Sequence, residues 1–356
     1  MMKIRYNTKT VMALKKMMIF PLLPLLLIGS SVVHSEERQW HYFDVDHKPL
    51  PQYEFIYHKL KDYFQDKVPQ KIVVKYIEGK NSRFDPVGDI VLIGEYGVKD
   101  DPIGVIAHES CHLCLKNYTN KASVKEEFRF FDEGFADIFQ SIVTHKADDY
   151  KNEALAIAAL QNIRNNVSFE KAQKWPQYFG DPQIKTNFYA YPVGASFDFF
   201  IMDTYGTKRL FAFFKDIGKT QDLTKSLRNI FKSDQQSIEA EWLQYLKKVN
   251  VSSVEPHINK MFPVNLARDV SIKTNEIYVE FDIPMSRNIF FITNCNDGIC
   301  YKDAYWKTDR ILAVKVKLLP NHQYKVYLGD NYHGRFMSKV GVELPITPWS
   351  FYTGSE

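Results

Sequence analysis

The hydrophobic period of the chain changes once along its length, and that change limits what it can fold into. From Pro102 to about Lys248, apolar residues recur at helical spacing in long segments: Ile103 to Leu115, Phe130 to Val143, Glu153 to Ile163, Val193 to Asp203 and Ile238 to Leu246. Beyond a linker read at Val249 to Pro263, apolar and polar residues alternate instead, as in Glu276 to Phe281, Ile311 to Leu318 and Gln323 to Leu328, with turn residues between the runs. Residues 36–101 are mixed, with a helical stretch around Gln52 to Gln65 and two β-branched runs, Lys71 to Ile77 and Asp89 to Ile93, that read as strands of a small sheet. The expectation is an α+β protein. Residues 36–250 form one domain, mixed over 36–101 and helical over 102–250, and residues 264–356 form a second, because several short strands in one stretch imply a β-sandwich. A chain of 356 residues has the length for two cores.

The first 35 residues read differently from the rest. Lys3, Arg5, Lys9, Lys15 and Lys16 precede an unbroken apolar run from Met17 to Ile28 and then the small residues Gly29 to Ser31, the pattern of a secretory signal peptide cut near Ser35. An uncleaved anchor is the lesser alternative, and the expected location is outside the cytoplasm. Without the leader, 41 basic residues face 42 acidic ones, so the net charge moves from +4 to −1. No basic field or nucleic-acid motif is left to attract nucleic acid, and no stable membrane span is expected after cleavage.

The residues that carry chemistry begin with His108-Glu-Ser-Cys-His112, inside an apolar helical segment. Histidines at i and i+4 stand one above the other on a helix, so both imidazoles reach a single zinc ion. Glu109, about 100° round the helix, falls beside the metal and is placed to take a proton from water. A second motif, Phe131-Asp-Glu-Gly-Phe-Ala-Asp-Ile-Phe139, follows on another amphipathic pattern and offers Glu133 as third ligand. Asp137 lies one turn beyond Glu133 and is the carboxylate to receive the other N–H of a ligand imidazole, or else a solvated helix charge. Glu126 and Glu127 are further available carboxylates that read as first-turn charges. Cys114 projects about 140° away from the two histidines, so Cys111 and Cys114 read as buried thiols. Cys295 and Cys300, in a polar loop, are placed to form a disulfide in an oxidising compartment. The other histidines show no ligand spacing.

With its H-E-x-x-H and the later Glu, the chain resembles the gluzincin metallopeptidases, the group that includes thermolysin and the aminopeptidase N relatives. The likeness runs from about Asp89 to Leu246. It implies a gluzincin-type catalytic domain with one zinc per chain on His108, His112 and Glu133, Glu109 as general base, and Asp137 orienting the first zinc histidine. The Tyr191-x-x-Gly194 segment resembles the Y-x-x-G of the aminopeptidase N relatives, in which the Tyr hydroxyl stabilises the tetrahedral intermediate; the resemblance implies that role for Tyr191, with Tyr189 in reserve and a purely packing role as the alternative. Two departures stand out. No G-x-M-E-N-type segment for gripping a free amino terminus precedes the zinc helix, and an unfamiliar Lys116 to Lys125 loop fills the slot between the motifs. Endopeptidase action on a peptide or protein substrate is therefore expected over aminopeptidase action, and Asp89 to Ile93 reads either as an edge strand for the substrate to pair with or as an ordinary core strand. The C-terminal residues, from Phe281-Asp-Ile-Pro-Met285 to Trp349-Ser-Phe-Tyr-Thr353, resemble bacterial immunoglobulin-like modules. The competing expectation is a non-catalytic binding protein of the same fold acting on a cell-envelope partner.

Overall fold

The computed structural model describes residues 40–79, 81–85, 88–95, 99, 101–174, 190–287, 291–292, 298–329 and 335–356. The expected leader, Tyr189 and Cys295 lie outside the described residues. Two short strands, β1 (Tyr42–Phe43) and β2 (Ile72–Tyr76), flank helix α1 (Glu54–Phe64), which turns Ile56, Tyr57, Leu60 and Phe64 inward. Strands β3 (Arg83–Phe84) and β4 (Ile90–Ile93) complete a four-stranded sheet in the order β1-β2-β4-β3. β2 runs parallel to β1 and β4, whereas β3 is antiparallel to β4. The segment expected at the edge, Asp89 to Ile93, is thus paired on both sides, and the edge belongs to β3. Two residues are too few to carry a period, which is why β3 left no signal in the sequence.

The helical block follows as α2 (Pro102–Tyr118), α3 (Arg129–Val143), α4 (Ala147–Asn165), α5 (Phe169–Gln173), α6 (Ala190–Tyr205), α7 (Thr207–Thr220), α8 (Leu223–Phe231) and α9 (Gln235–Leu246). Its core is largely aromatic. Phe64, Phe128, Phe130, Phe131, Phe135, Phe139, Phe169, Phe197 and Trp242 are all buried, and their rings meet mostly tilted or edge to face, the arrangement that the ring quadrupoles favour. α3 and α6 cross at two glycines. A Cβ on Gly134 would lie 2.3 Å from the Ala195 nitrogen, and one on Gly194 would lie 1.7 Å from the Phe130 carbonyl oxygen, so only hydrogen at both positions lets the backbones touch.

Eight strands follow: β5 (Ile258–Phe262), β6 (Ala267–Val270), β7 (Glu276–Phe281), β8 (Phe291–Ile292), β9 (Ile299–Trp306), β10 (Ile311–Val316), β11 (Gln323–Leu328) and β12 (Thr347–Thr353). They form two four-stranded sheets, β5-β7-β10-β9 and β6-β12-β11-β8. The first is antiparallel throughout, and in the second β6 runs parallel to β12. Burial alternates residue by residue along β7 and β11, as a sheet with one covered face requires. Ile277 and Val314 of the first sheet share a hydrophobic cluster with Tyr324, Val326, Trp349 and Phe351 of the second. The stretch expected to be a linker, Val249 to Pro263, contains β5, which pairs with β7. Its exposed, polar Asn259 and Lys260 hid the strand from a reading based on hydrophobic period.

The helical block also meets the connections that lead into β5 and between β11 and β12. Ala156, Ile157 and Leu160 of α4 are buried together with Val254 and Val342, and beside them Arg164 Nη2 lies 2.7 Å from Glu255 Oε1. Cys111 and Cys114 are free and buried, as expected, and Cys300 is in a disulfide. No helix among the described residues is long and apolar enough to cross a membrane.

Candidate metal centre and its cavity

Helix α2 is fixed at its start by Asp101, whose side chain accepts from the Gly104 N–H at 2.9 Å, and by Pro102 in the first turn, where a missing N–H costs nothing. From there the helix runs into the core, with Ile106, Ala107, Cys111, Leu113, Cys114 and Leu115 fully buried. Tyr42 of β1 ties it to the sheet by donating to Ser110 Oγ at 2.8 Å. On the face turned to α3 stand His108 and His112, one turn apart, with ring centroids 4.7 Å apart.

Three donor atoms converge. His108 Nε2 and His112 Nε2 are 3.0 Å apart, and each is 3.2 Å from Glu133 Oε2 of α3. The cluster is buried, with 13%, 2% and 2% of the three side chains exposed. It could hold a metal ion. Three electron-pair donors buried in mutual contact need a cation among them, a proton or a metal, because otherwise their lone pairs repel one another in a medium of low dielectric.

The charges around the cluster show the strength of that need. Burial lowers the His108 pKa, but the Asp137 and Glu133 carboxylates outweigh it and push it up to about 10. Burial works against the His112 charge too, and Asp132 and Glu133 nevertheless raise its pKa well above the ordinary imidazole value. Glu133, which burial would raise, is held well below the usual carboxylate range by the two imidazoles.

Each imidazole has a carboxylate behind it. Asp137 Oδ1 is 3.0 Å from His108 Nδ1, and Asp132 Oδ2 is 2.8 Å from His112 Nδ1. Asp137 acts on His108 first through the hydrogen bond and then through its charge, whereas Asp132 acts on His112 first through its charge. Asp137 is steadied by Tyr150, whose hydroxyl donates to Oδ2 at 2.9 Å. Asp132 is almost wholly buried and lies near Asp198, whose pKa is raised first by its own burial and then by the Asp132 charge.

The cluster opens into a cavity of about 290 Å³ lined by Ser82, Arg83, Phe84, His108, Glu109, His112, Val124, Arg129, Glu133 and Tyr191. Glu109 is 7% exposed, and burial raises its carboxyl pKa despite the nearby histidines. Such a group accepts a proton more readily than a solvated carboxylate does. Tyr191 comes from the first turn of α6, its ring centroid 6.4 Å from that of His108. Burial and the Glu133 and Asp137 charges push its pKa up, so the hydroxyl keeps its proton as a donor. The crossing at Gly134 and Gly194 puts it there, because it lets α6 lie against α3 beside Glu133.

The structure therefore brings together His108, His112, Glu133, Glu109, Asp137 and Tyr191, the residues singled out in the sequence. Glu126 and Glu127 are exposed and do not line the cavity. The sequence reading missed Asp132, Arg129, Tyr150 and Phe84. Asp132 is the residue before Glu133, and Arg129 precedes Glu133 by four, a spacing that pairs charges on a helix. Phe84, stacked on the His112 ring at 5.3 Å, and Tyr150 had no local signal, since only the fold brings them in.

No protein family matches the chain, and no curated protein matches it. Among solved structures, the CopC protein from Methylosinus trichosporium OB3b is similar at 13% identity and a TM-score of 0.22, over 28% of this chain and 94% of that one. Domains 1–6 of the surface layer protein SbsC are similar at 13% identity and a TM-score of 0.20, over 69% of this chain and 33% of that one. At these scores neither likeness bears on the site, which stands on its own geometry.

Proposed function

We propose that the protein is an exported zinc-dependent peptidase of the gluzincin type, with its helical block as the catalytic part and its C-terminal strands as an immunoglobulin-like module. One observation carries the reading: two imidazole nitrogens and a carboxylate oxygen, 3.0 to 3.2 Å from one another, open onto a cavity that also holds a buried glutamate. Tetrahedral zinc with ligands at about 2.0–2.1 Å would separate them by roughly 3.3 Å, so the donors fit that ion with little movement. Three protein ligands with an open fourth position are the pattern of catalytic zinc, whereas structural zinc takes four.

His108, His112 and Glu133 would hold the zinc ion, which would supply the Lewis acidity that acidifies water and polarises a peptide carbonyl. Glu109 takes the proton from the attacking water and delivers it to the departing amine, a task suited to a carboxyl whose pKa burial has raised. Tyr191 donates to the carbonyl oxygen as negative charge gathers on it. Asp137 and Asp132 hold the two imidazoles in place from behind. The edge of β3, unpaired among the described residues, offers a track along which a substrate strand can pair, in place of the paired β4.

The test is zinc content together with cleavage of casein or a peptide library by the purified protein. About one zinc per chain with cleavage supports the reading. Stoichiometric zinc with no cleavage of any peptide would make the protein a binding protein on a gluzincin scaffold.

A further inference from the structure

Five of the residues lining the cavity have no part in the chemistry above, and two of them are arginines. Arg129 opens α3, one turn before Glu133, and its Nη2 is 2.5 Å from Glu133 Oε1. Glu133 is thus divided, one oxygen facing the imidazoles and the other facing the guanidinium. Among the described residues that contact is the side chain's ion pair and uses one of its five N–H donors, and the side chain, which lines the cavity, is 38% exposed. Arg83 lies on the edge strand β3, exposed, and forms no ion pair among the described residues. The stacking of Phe84 on His112 fixes β3, and Arg83 with it, at the rim of the metal centre.

Of the acidic groups in the cavity, Glu133 is committed to the imidazoles and Arg129, and Glu109 is buried beside the histidines. What remains to meet a substrate is positive. We propose, resting on the peptidase reading, that the cavity selects substrates carrying a carboxylate next to the scissile bond, held by the free donors of Arg129 with Arg83 assisting at the rim. A guanidinium fork matches a carboxylate in shape and binds it with charge-assisted hydrogen bonds that are stronger where water is partly excluded. A strand paired along β3 also sets its own side chains opposite Arg83, where an acidic residue is favoured. The carboxylate is either an acidic side chain or the free C-terminus of a peptide.

Four peptides of one sequence separate the two sources: Glu or Gln beside the scissile bond, each with a free or an amidated C-terminus. Their binding is measured by calorimetry on zinc-loaded Glu109→Gln protein, and their kcat/KM on the wild type. The expected result is that at least one carboxylate-bearing peptide binds about 10-fold or more tightly than the neutral Gln amide, a step of about 1.4 kcal/mol. The tighter arm identifies the source. Because zinc itself attracts carboxylates, the same series is run on Arg129→Gln with its zinc verified, where the ratio should fall towards one. Arg83→Gln should lower it several-fold, and serves alone if Arg129→Gln loses zinc. Equal binding of all four peptides, or a preference undiminished in the arginine variants, overturns the proposal. Carboxylate-selective binding without any hydrolysis would overturn the peptidase reading and leave the recognition standing; hydrolysis without selectivity would do the reverse.

Discussion

Asp132 shows how one buried charge can hold a reactive one in place. Its carboxylate is 1% exposed and lies 2.8 Å from His112 Nδ1, so removing its charge leaves the imidazole without its counterweight. Asp132→Asn is expected to weaken zinc binding about 10- to 100-fold, the usual loss when the partner behind a ligand imidazole is removed, as a competition assay with a chelator would show. An unchanged affinity would make Asp132 a bystander. The raised imidazole pKa values carry a pH signature as well. His108 titrates near 10 in the metal-free chain against an ordinary 6.5, so its proton stabilises the native state fully below about 6.5, and that contribution fades as pH rises towards 10. Zinc has to expel that proton. Its apparent affinity should therefore rise with pH between about 6 and 8, with protons released on binding. Calorimetry in two buffers of different ionisation enthalpy measures the release, and its absence would contradict the account.

Among the elements, the α3–α6 crossing matters most to the site. Gly194→Ala puts a methyl group into the Phe130 carbonyl, and separating the helices also moves Tyr191, one turn earlier in α6. The variant is expected to lose about 3 kcal/mol of stability or more, read from its urea midpoint, the upper range for overpacking against backbone that has little room to shift. A neutral outcome would mean that the crossing is loose. The long elements were legible in the sequence because period and burial coincide there: α2, α3 and α6, with β7, β10 and β11, fall where their apolar spacing put them. Helical spacing made the His108/His112 and Glu133/Asp137 pairs legible, and the joining of the two pairs came from the resemblance to the gluzincins. β1, β3 and β5 were not, since two residues have no period and β5 carries polar residues on its exposed face. Asp89 to Ile93 reads as a strand in any sheet position, so only the pairing of β3 against β4 shows that it is interior.

In the whole molecule, no candidate ligand or base comes from the C-terminal residues, yet the connection between β11 and β12 touches α4. Val342 closes over Ala156, Ile157 and Leu160. Removing residues 264–356 should leave zinc binding in place while costing at least ~2 kcal/mol of stability, because the apolar side chains on α4 lose their cover. Zinc retention and the urea midpoint of the shortened chain are the two readings. Loss of zinc would show that the strands support the metal centre itself, through α4 and its Tyr150 contact to Asp137.

The central claim is that Glu109 works on a bound metal without being one of its ligands. Elemental analysis and peptide turnover of the same preparation of Glu109→Gln test it most directly. The account predicts about one zinc per chain, as in the wild type, with turnover reduced by three orders of magnitude or more, since the group placed to move the proton is gone. Zinc lost along with the activity would make Glu109 a ligand, and turnover at the wild-type rate would remove it from the mechanism.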